Sequence, residues 1–388
     1  MSSSRPRLVQ LVTVPATLSL MRGQLGFCVR AGFDVHVVAS LGAEPRPEVD
    51  EGVTLHSVEM NRSLAPVADL ASVARARALL SRLRPDLVQA GTPKAALVGM
   101  MAARLCGTRI RIHHVRGLAH ATGAKARSFA AAAATRVSCS LSTQVLCVSE
   151  SVRETLVQER FCSREKTHVL AHGSSNGVDA EGRFNPANHT HSRSELRRSL
   201  GIPDDSIVIG FIGRLVRDKG IETLFDAWSR LRQQFGSAFL LLVGPFEDGD
   251  PLPRRVRDGL ASDPRVKVTS TGWGQAAPLY SAMDIIGFPS LREGFPNVPM
   301  EAAAMSLPVV AARVGGSTDA VVDGETGLLV EPRDASALAE ALARLMNEPA
   351  LAQRLGAQGR KRALADYRPE GIWQAQVDWY RALLAAGS

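Results

Sequence analysis

The sequence predicts an α/β protein made of two doubly wound parallel-sheet domains in tandem. Three observations carry this. At 388 residues the chain has room for two domains of ordinary size, and a hydrophobic share of 45% is ample for their cores. Short apolar runs alternate with helical stretches from one end to the other, the β-α-β rhythm of a parallel sheet. Near the middle that rhythm is interrupted by His172-Gly173-Ser174-Ser175-Asn176-Gly177-Val178-Asp179, then by Pro186, Asn188 and polar residues to about Ser194. The expected division is 1–190, 191–368 and a C-terminal helix over 369–388 that is free to cross back to the first domain.

In the first domain, strands are expected at Leu8–Val12, Val35–Ala39, Val53–Val58, 85–89, Arg109–His114, Val145–Val148 and Val169–Ala171. Thr13–Thr17 is an exit loop, and Leu18–Arg30 reads as a helix ended by Gly32. Pro66–Leu83 is a second helix, and Thr92-Pro93-Lys94 opens a third, since proline suits the first helical turn. The exit after the fifth strand is Val115-Arg116-Gly117-Leu118, leading to His120, Thr122 and Gly123. Ser149-Glu150 opens the helix after the sixth. In the second domain, strands are expected at Ile207–Ile212, Phe239–Val243, Val266–Thr269, Ile285–Phe288, Pro308–Ala312 and Gly327–Val330. Helices at Ile221–Phe235, Ala335–Met346, Ala350–Ala365 and Glu370–Leu384 complete it.

Charge is uneven. Through Phe184 there are 23 basic and 14 acidic residues, an excess of nine; the remainder has 23 and 24. A basic half favours an anionic partner: a phosphorylated substrate, an acidic membrane surface or nucleic acid. Aromatics are only 5% and no basic run interleaves with them, so no nucleic-acid partner is expected. Arg104, Arg127 and Arg136 flank alanine-rich segments and could rest on an anionic leaflet. The five cysteines are scattered with no Cys-x-x-Cys pair, which predicts reduced thiols and no zinc site. The N-terminus does not read as a signal peptide, and no apolar run reaches membrane-spanning length. Together these predict a cytoplasmic protein, peripheral at most on the inner face of the plasma membrane.

The chemistry gathers in two strand exits of the second domain. Gly213-Arg214-Leu215-Val216-Arg217-Asp218-Lys219-Gly220 follows its first strand, and there Arg214 and Lys219 could converge on a diphosphate. Ser290-Leu-Arg-Glu293-Gly294-Phe295-Pro296-Asn297 follows the strand at 285–288, with a helix expected from Val298 and Glu301 within it. A polar, glycine-containing turn between a strand and a helix is where ligands sit in such sheets. Glu293 and Glu301 are expected to fall on roughly one face. Carboxylates accept from vicinal hydroxyls, so the pair suits a sugar and a ribose better than a bare phosphate. The pair Asp248/Asp250 stands in a proline-containing loop, and no metal is expected there or at His113, His114, His120 and His172.

In order along the chain, Thr92-Pro93-Lys94, Arg116-Gly117-Leu118, Ser149-Glu150, the 173–179 run, Gly213-Arg214, Glu293…Glu301 and Gly315-Gly316 resemble the family-four retaining glycosyltransferases. The resemblance runs from about residue 8 to 385. It is closest to bacterial enzymes that build capsule, O-antigen and other glycans on undecaprenyl diphosphate, also at Asp319-Ala320-Val321-Val322-Asp323-Gly324.

That resemblance implies the GT-B architecture: two Rossmann-like domains facing a central cleft, the first for the acceptor and the second for the nucleotide sugar. It implies metal-independent transfer of a hexose or N-acetylhexosamine from a UDP-sugar, the donor being a substrate and no cofactor being needed. Glu293, Arg214 and Lys219 would be catalytic. Gly213, Gly272, Trp273, Gly294, Phe295, Pro296, Asn297 and Glu301 would bind the donor, with Glu301 on the ribose and Gly272-Trp273 against uracil. Thr13, Thr92, Lys94, Arg116, Gly117, Ser149 and Glu150 would line the acceptor side. The chain departs from many relatives at Arg116, where they carry His, and at Pro15, where they carry a Gly-Gly loop. Partners would be the nucleotide-sugar donor and a lipid-linked or glycan acceptor. A soluble acceptor, a catalytically silent sugar-nucleotide binder and a 2-epimerase are the competing readings.

Overall fold

The computed structural model describes residues 5–42, 47–61, 65–118, 125–189, 192–270 and 276–386. They form two units. The first comprises the chain up to Asn176 and from Pro369 onward; the second is Gly177–Arg368. The change of unit therefore falls earlier than the expected residue 190. The reason is hydrophobic: Val178, Ala180 and Phe184 are buried in the second unit's core, where Phe184 meets Tyr280 edge-on at 5.8 Å.

In chain order, unit 1 contains β1 (Arg7–Leu11), α1 (Gln24–Arg30), β2 (Asp34–Ala39), β3 (Thr54–Ser57), α2 (Pro66–Leu83), β4 (Leu87–Ala90) and α3 (Pro93–Leu105). It continues with β5 (Ile110–Val115), α4 (Lys125–Leu141), β6 (Gln144–Cys147), α5 (Glu150–Gln158) and β7 (Thr167–His168). Unit 2 contains α6 (Ser192–Ser199), β8 (Val208–Ile212), α7 (Ile221–Gln234), β9 (Phe239–Val243), α8 (Arg254–Ser262), β10 (Val266–Thr269) and α9 (Ala277–Ser281). It ends with β11 (Ile285–Phe288), α10 (Asn297–Ala304), β12 (Val309–Ala312), α11 (Gly315–Ala320), β13 (Gly327–Val330), α12 (Ala335–Asn347) and α13 (Pro349–Asp366). The last helix, α14 (Pro369–Ala385), belongs to unit 1.

Among the described residues both sheets are wholly parallel. Their orders are β3-β2-β1-β4-β5-β6-β7 and β10-β9-β8-β11-β12-β13. Each reverses direction once, between β1 and β4 and between β8 and β11. At such a switch point the two neighbouring exit loops run to opposite faces and leave a crevice at the carboxyl ends of the strands. Alternation along the strands assigns the layers. Val9, Leu11, Val88 and Ala90 pack under α2 and α3, while Leu8, Val12, Leu87 and Ile112 pack under α1 and α14. Unit 2 repeats this with α7 and α12 on one face and α10 and α13 on the other.

Two local expectations differ. The helix expected over Leu18–Arg30 is a 3-10 turn, Pro15–Met21, followed by α1. Gly23 between them has φ +81°, and its Cβ would meet the Trp373 ring at 2.6 Å. Asp50 then caps α1 from outside, accepting from the Gly23 and Gly26 N–H groups at 3.2 and 2.8 Å. The seventh strand lies at Thr167–His168 and not at Val169–Ala171, because it pairs with β6 through Val145 and Leu146.

Candidate functional site

The site is built at the switch point of unit 2, where the exit of β8 lies beside the exit of β11. A backbone bond joins the loops: the Leu291 N–H donates to the Asp218 carbonyl at 2.9 Å. Gly220 has φ +73°, and a Cβ there would stand 2.0 Å from the Pro289 carbonyl oxygen, so only glycine permits this approach. The turn after β12 backs the second loop. The Gly316 N–H donates to the Glu293 carbonyl at 3.2 Å, and a Cβ on Gly316 would meet the Gly294 oxygen at 1.9 Å.

Those contacts bring the expected donor residues together. Lys219 Nζ donates to Glu293 Oε1 at 2.6 Å, and the Ser290 hydroxyl donates to the same oxygen at 2.6 Å. Arg214 Nη1 reaches Glu247 Oε2 at 2.8 Å, and its Nη2 lies 3.7 Å from Asp218 Oδ2. Burial opposes the Arg214 charge, but the Glu247 hydrogen bond with the charges of Asp218, Glu247 and Glu293 more than compensates and raises its pKa. Arg292 adds a second cation to Asp218 at 3.3 Å. Asp250 accepts from the Asp218 N–H at 2.8 Å and so holds the loop. Among the described residues no cluster of three or more metal-ligating side chains occurs.

Helix α10 begins at Asn297, one residue before the expected Val298, so Glu293 lies in the loop that precedes it and Glu301 within the helix. Glu301 sits in α10 and accepts the Tyr280 hydroxyl at 2.7 Å. Burial raises its pKa; the Tyr280 hydrogen bond and the Arg183 charge pull the other way. Gly213, with φ +148°, opens the first loop, and Gly294 and Pro296 are buried while Asn297 is exposed. Phe295 stacks edge-on against Tyr367 at 5.4 Å. Gly272 and Trp273 lie outside the described residues, as do His120, Thr122 and Gly123.

At the switch point of unit 1, Thr13 and Thr92 meet, their hydroxyls 2.6 Å apart, with the Thr13 N–H donating to Thr92 Oγ1 at 3.0 Å. Lys94 is engaged elsewhere. It is buried in the helix layer, where Nζ donates to both oxygens of Asp69 at 2.6 Å. Ser149 is the N-cap of α5, accepting from the Val152 N–H at 3.2 Å. Glu150 is half-exposed and paired with Arg153 at 2.7 Å. Gly117 follows Arg116 at the exit of β5, and the Arg116 guanidinium is buried across Gly91. Sequence reasoning missed Glu247 and Tyr280, whose signals would have required knowing which loops adjoin.

The family model described as glycosyl transferases group 1 matches residues 192–362, and the glycosyl transferase 4-like domain matches 15–173. The chain is 32% identical over 378 residues to the capsular polysaccharide biosynthesis glycosyltransferase CapM of Staphylococcus aureus, covering 97% of each. It is 37% identical over 190 residues to the D-inositol 3-phosphate glycosyltransferase of Stackebrandtia nassauensis, a match spanning 47% of this chain and 42% of that protein. Among solved structures, sucrose-phosphate synthase of Thermosynechococcus elongatus superposes with a TM-score of 0.82 at 24% identity, covering 98% of this chain and 100% of that one. Anabaena Alr3699/HepE gives 0.76 at 20%, covering 96% and 99%. At those identities the structural likeness concerns the fold. Because both units are matched and a capsular glycosyltransferase aligns along nearly the whole length, the chain belongs to the group 1, family-four-like glycosyltransferases of the GT-B architecture.

Proposed function

We propose that the protein transfers a hexose or N-acetylhexosamine from a UDP-sugar to a lipid diphosphate-linked glycan, with retention at the anomeric carbon. The observation that carries this reading is the assembly of Arg214, Lys219, Ser290 and Glu293 at the unit 2 switch point. The capsular relative supports the polysaccharide context, and HepE, solved with UDP and glucose, supports the donor class. In the proposed step the acceptor oxygen bonds to the anomeric carbon on the face from which UDP departs. The bond to the β-phosphate oxygen breaks, and that oxygen takes the acceptor proton. Arg214 and Lys219 neutralise the growing charge on the leaving diphosphate, which makes a metal unnecessary. Glu293 accepts from sugar hydroxyls, and Glu301 from the ribose.

A panel of UDP-sugars in thermal unfolding tests the donor, since a ligand bound only by the folded state raises the unfolding temperature. The matching sugar should then be transferred in the presence of a chelator. No stabilisation by any UDP-sugar would refute the donor class, and dependence on a divalent ion would refute metal independence.

The lipid-linked acceptor is supported by the surface of unit 1. Val67 and Leu70 on α2 and Phe129 on α4 are exposed apolar side chains, and α2 and α3 each carry arginine in their last turn. Among the described residues no helix is long and apolar enough to cross a membrane. Each basic residue near an anionic leaflet contributes about 1 kcal/mol, so a few of them with these anchors give reversible association. The full chain should sediment with phosphatidylglycerol vesicles and be released by salt; failure to bind at low salt would favour a soluble acceptor.

A further inference from the structure

Two buried arginines in this protein are treated in opposite ways. Arg197 in α6 has every nitrogen engaged: Nε with the Ala282 carbonyl, Nη1 with those of Asp204 and Ser206, and Nη2 with the Asp284 carboxylate. Arg116, at the exit of β5, has Nε, Nη1 and Nη2 all buried and none with a hydrogen-bond partner among the described residues. A buried cation without a protein partner is costly to fold around, which makes its guanidinium a candidate donor to an anion. Burial lowers the Arg116 pKa to about 10, with Tyr380 acting in the opposite direction, and the group stays protonated at neutral pH.

The surroundings are shaped around it. Strand alternation places Gln10, Gln89 and His114 on the face of the sheet that α1 and α14 cover. There Tyr380 and Gln376 of α14 both donate to Gln89 Oε1, at 2.8 and 3.3 Å, and Gln24 Nε2 donates to Gln376 Oε1 at 2.9 Å. Among the described residues, Gln10 Nε2 and Gln24 Oε1 are the atoms of this layer without a partner. Gly91 lies under the guanidinium, and a Cβ there would stand 3.2 Å from Arg116 Nε. Thr92 and Thr13 follow directly at the same strand ends.

We propose that Arg116, lying across Gly91 at the carboxyl edge of the unit 1 sheet, binds an oxyanion of the acceptor, either a phosphate or a carboxylate group. The guanidinium supplies a forked pair of donors, which fits either oxyanion bidentately, and Gln10 has a further amide donor, unpartnered among the described residues, on the same sheet face. Which substrate brings the anion rests on the transferase reading; the binding itself does not.

The test is titration of inorganic phosphate, inorganic pyrophosphate and acetate into the full wild-type chain, Arg116→Met and Arg116→Lys, followed by calorimetry and thermal unfolding. Anions that bind the cations of unit 2 do so in all three proteins and cancel in the difference. Wild type should be stabilised by at least one anion, by about 3–6 °C for each tenfold rise above the dissociation constant. Arg116→Met should lose that difference, and Arg116→Lys, which keeps the charge but not the fork, should bind about tenfold more weakly. A response to the two phosphates alone marks a phosphate-bearing acceptor; a response to acetate alone marks an acidic sugar. Without added anion Arg116→Met should unfold no lower than wild type, because it removes an unpaired charge. Equal responses in wild type and Arg116→Met, or a marked loss of stability in Arg116→Met, would overturn the proposal. Because no turnover is involved, this result and the transfer assay are read separately.

Discussion

Replacing Lys219 by Met probes the donor loop most directly. The side chain is 19% exposed and its partner Glu293 12%, so solvent screens the pair little. Met keeps most of the aliphatic volume and removes the ammonium. If Lys219 stabilises the departing diphosphate, the variant loses one charge-assisted hydrogen bond in the transition state. Such a bond is worth about 1.5–3 kcal/mol. At about 1.4 kcal/mol per decade this predicts a fall in turnover of roughly tenfold to a hundredfold. Folding should suffer less, since Glu293 keeps Ser290 as a partner. The assay is the initial rate of UDP release with the donor chosen by thermal shift, with the unfolding temperature as control. A double variant, Lys219→Met with Glu293→Gln, separates the roles: if Lys219 only neutralises Glu293, the double variant is no slower than Glu293→Gln alone, whereas a diphosphate contact adds its own loss. No added loss, or near-normal turnover in a folded single variant, would refute the diphosphate contact.

Glu293→Gln should lower turnover more than UDP affinity, whereas Glu301→Gln should weaken UDP itself, as calorimetric titration of UDP into both will show. UDP affinity should also fall as pH drops through the raised Glu301 pKa, since protonation removes the acceptor for ribose hydroxyls, and Glu301→Gln should abolish that slope. Glu247→Gln should tighten binding of diphosphate by several-fold, because it frees Arg214 from a half-exposed carboxylate. His113 is buried and held down to about 4, mainly by burial and then by Lys166, against 6.5 when unfolded. Protons therefore favour the unfolded chain, and stability drains away as pH falls from about 6.5 to 4, by about 3 kcal/mol; His113→Gln should shift acid unfolding to lower pH.

The sheets were legible in the sequence because fully buried parallel strands are short apolar runs, such as Val208–Ile212 and Ile285–Phe288, and their exits are polar and glycine-rich. Legibility failed where a tertiary partner decides. The first helix is cut at Gly23 because Trp373 of α14 and Asp50 fix the backbone there, neither near it in sequence. Lys94 looked available at a helix start, yet Asp69 of the neighbouring helix takes it. The early change of unit follows from Val178 and Phe184, two apolar residues in an otherwise loop-like stretch.

The two switch points use opposite electrostatics. In unit 2 each cation of the two strand-exit loops already has an acid: Arg214 has Glu247 and Asp218, Arg217 has Glu222, Lys219 has Glu293, and Arg292 has Asp218. An anionic ligand there exchanges partners, so its affinity is a difference between two sets of ion pairs. The Arg214–Glu247 pair is half-exposed, so solvent screens it and leaves it open to such an exchange. A nucleotide bound by exchange can also leave by exchange, which suits a product that must be released on every cycle. In unit 1 Arg116 has no acid partner among the described residues, so a bound anion gains its full interaction and the folded protein bears the cost of the buried charge. Substitutions of the unit 2 acids should therefore change ligand affinity with little effect on stability, whereas substitution of Arg116 should move binding and stability in opposite directions.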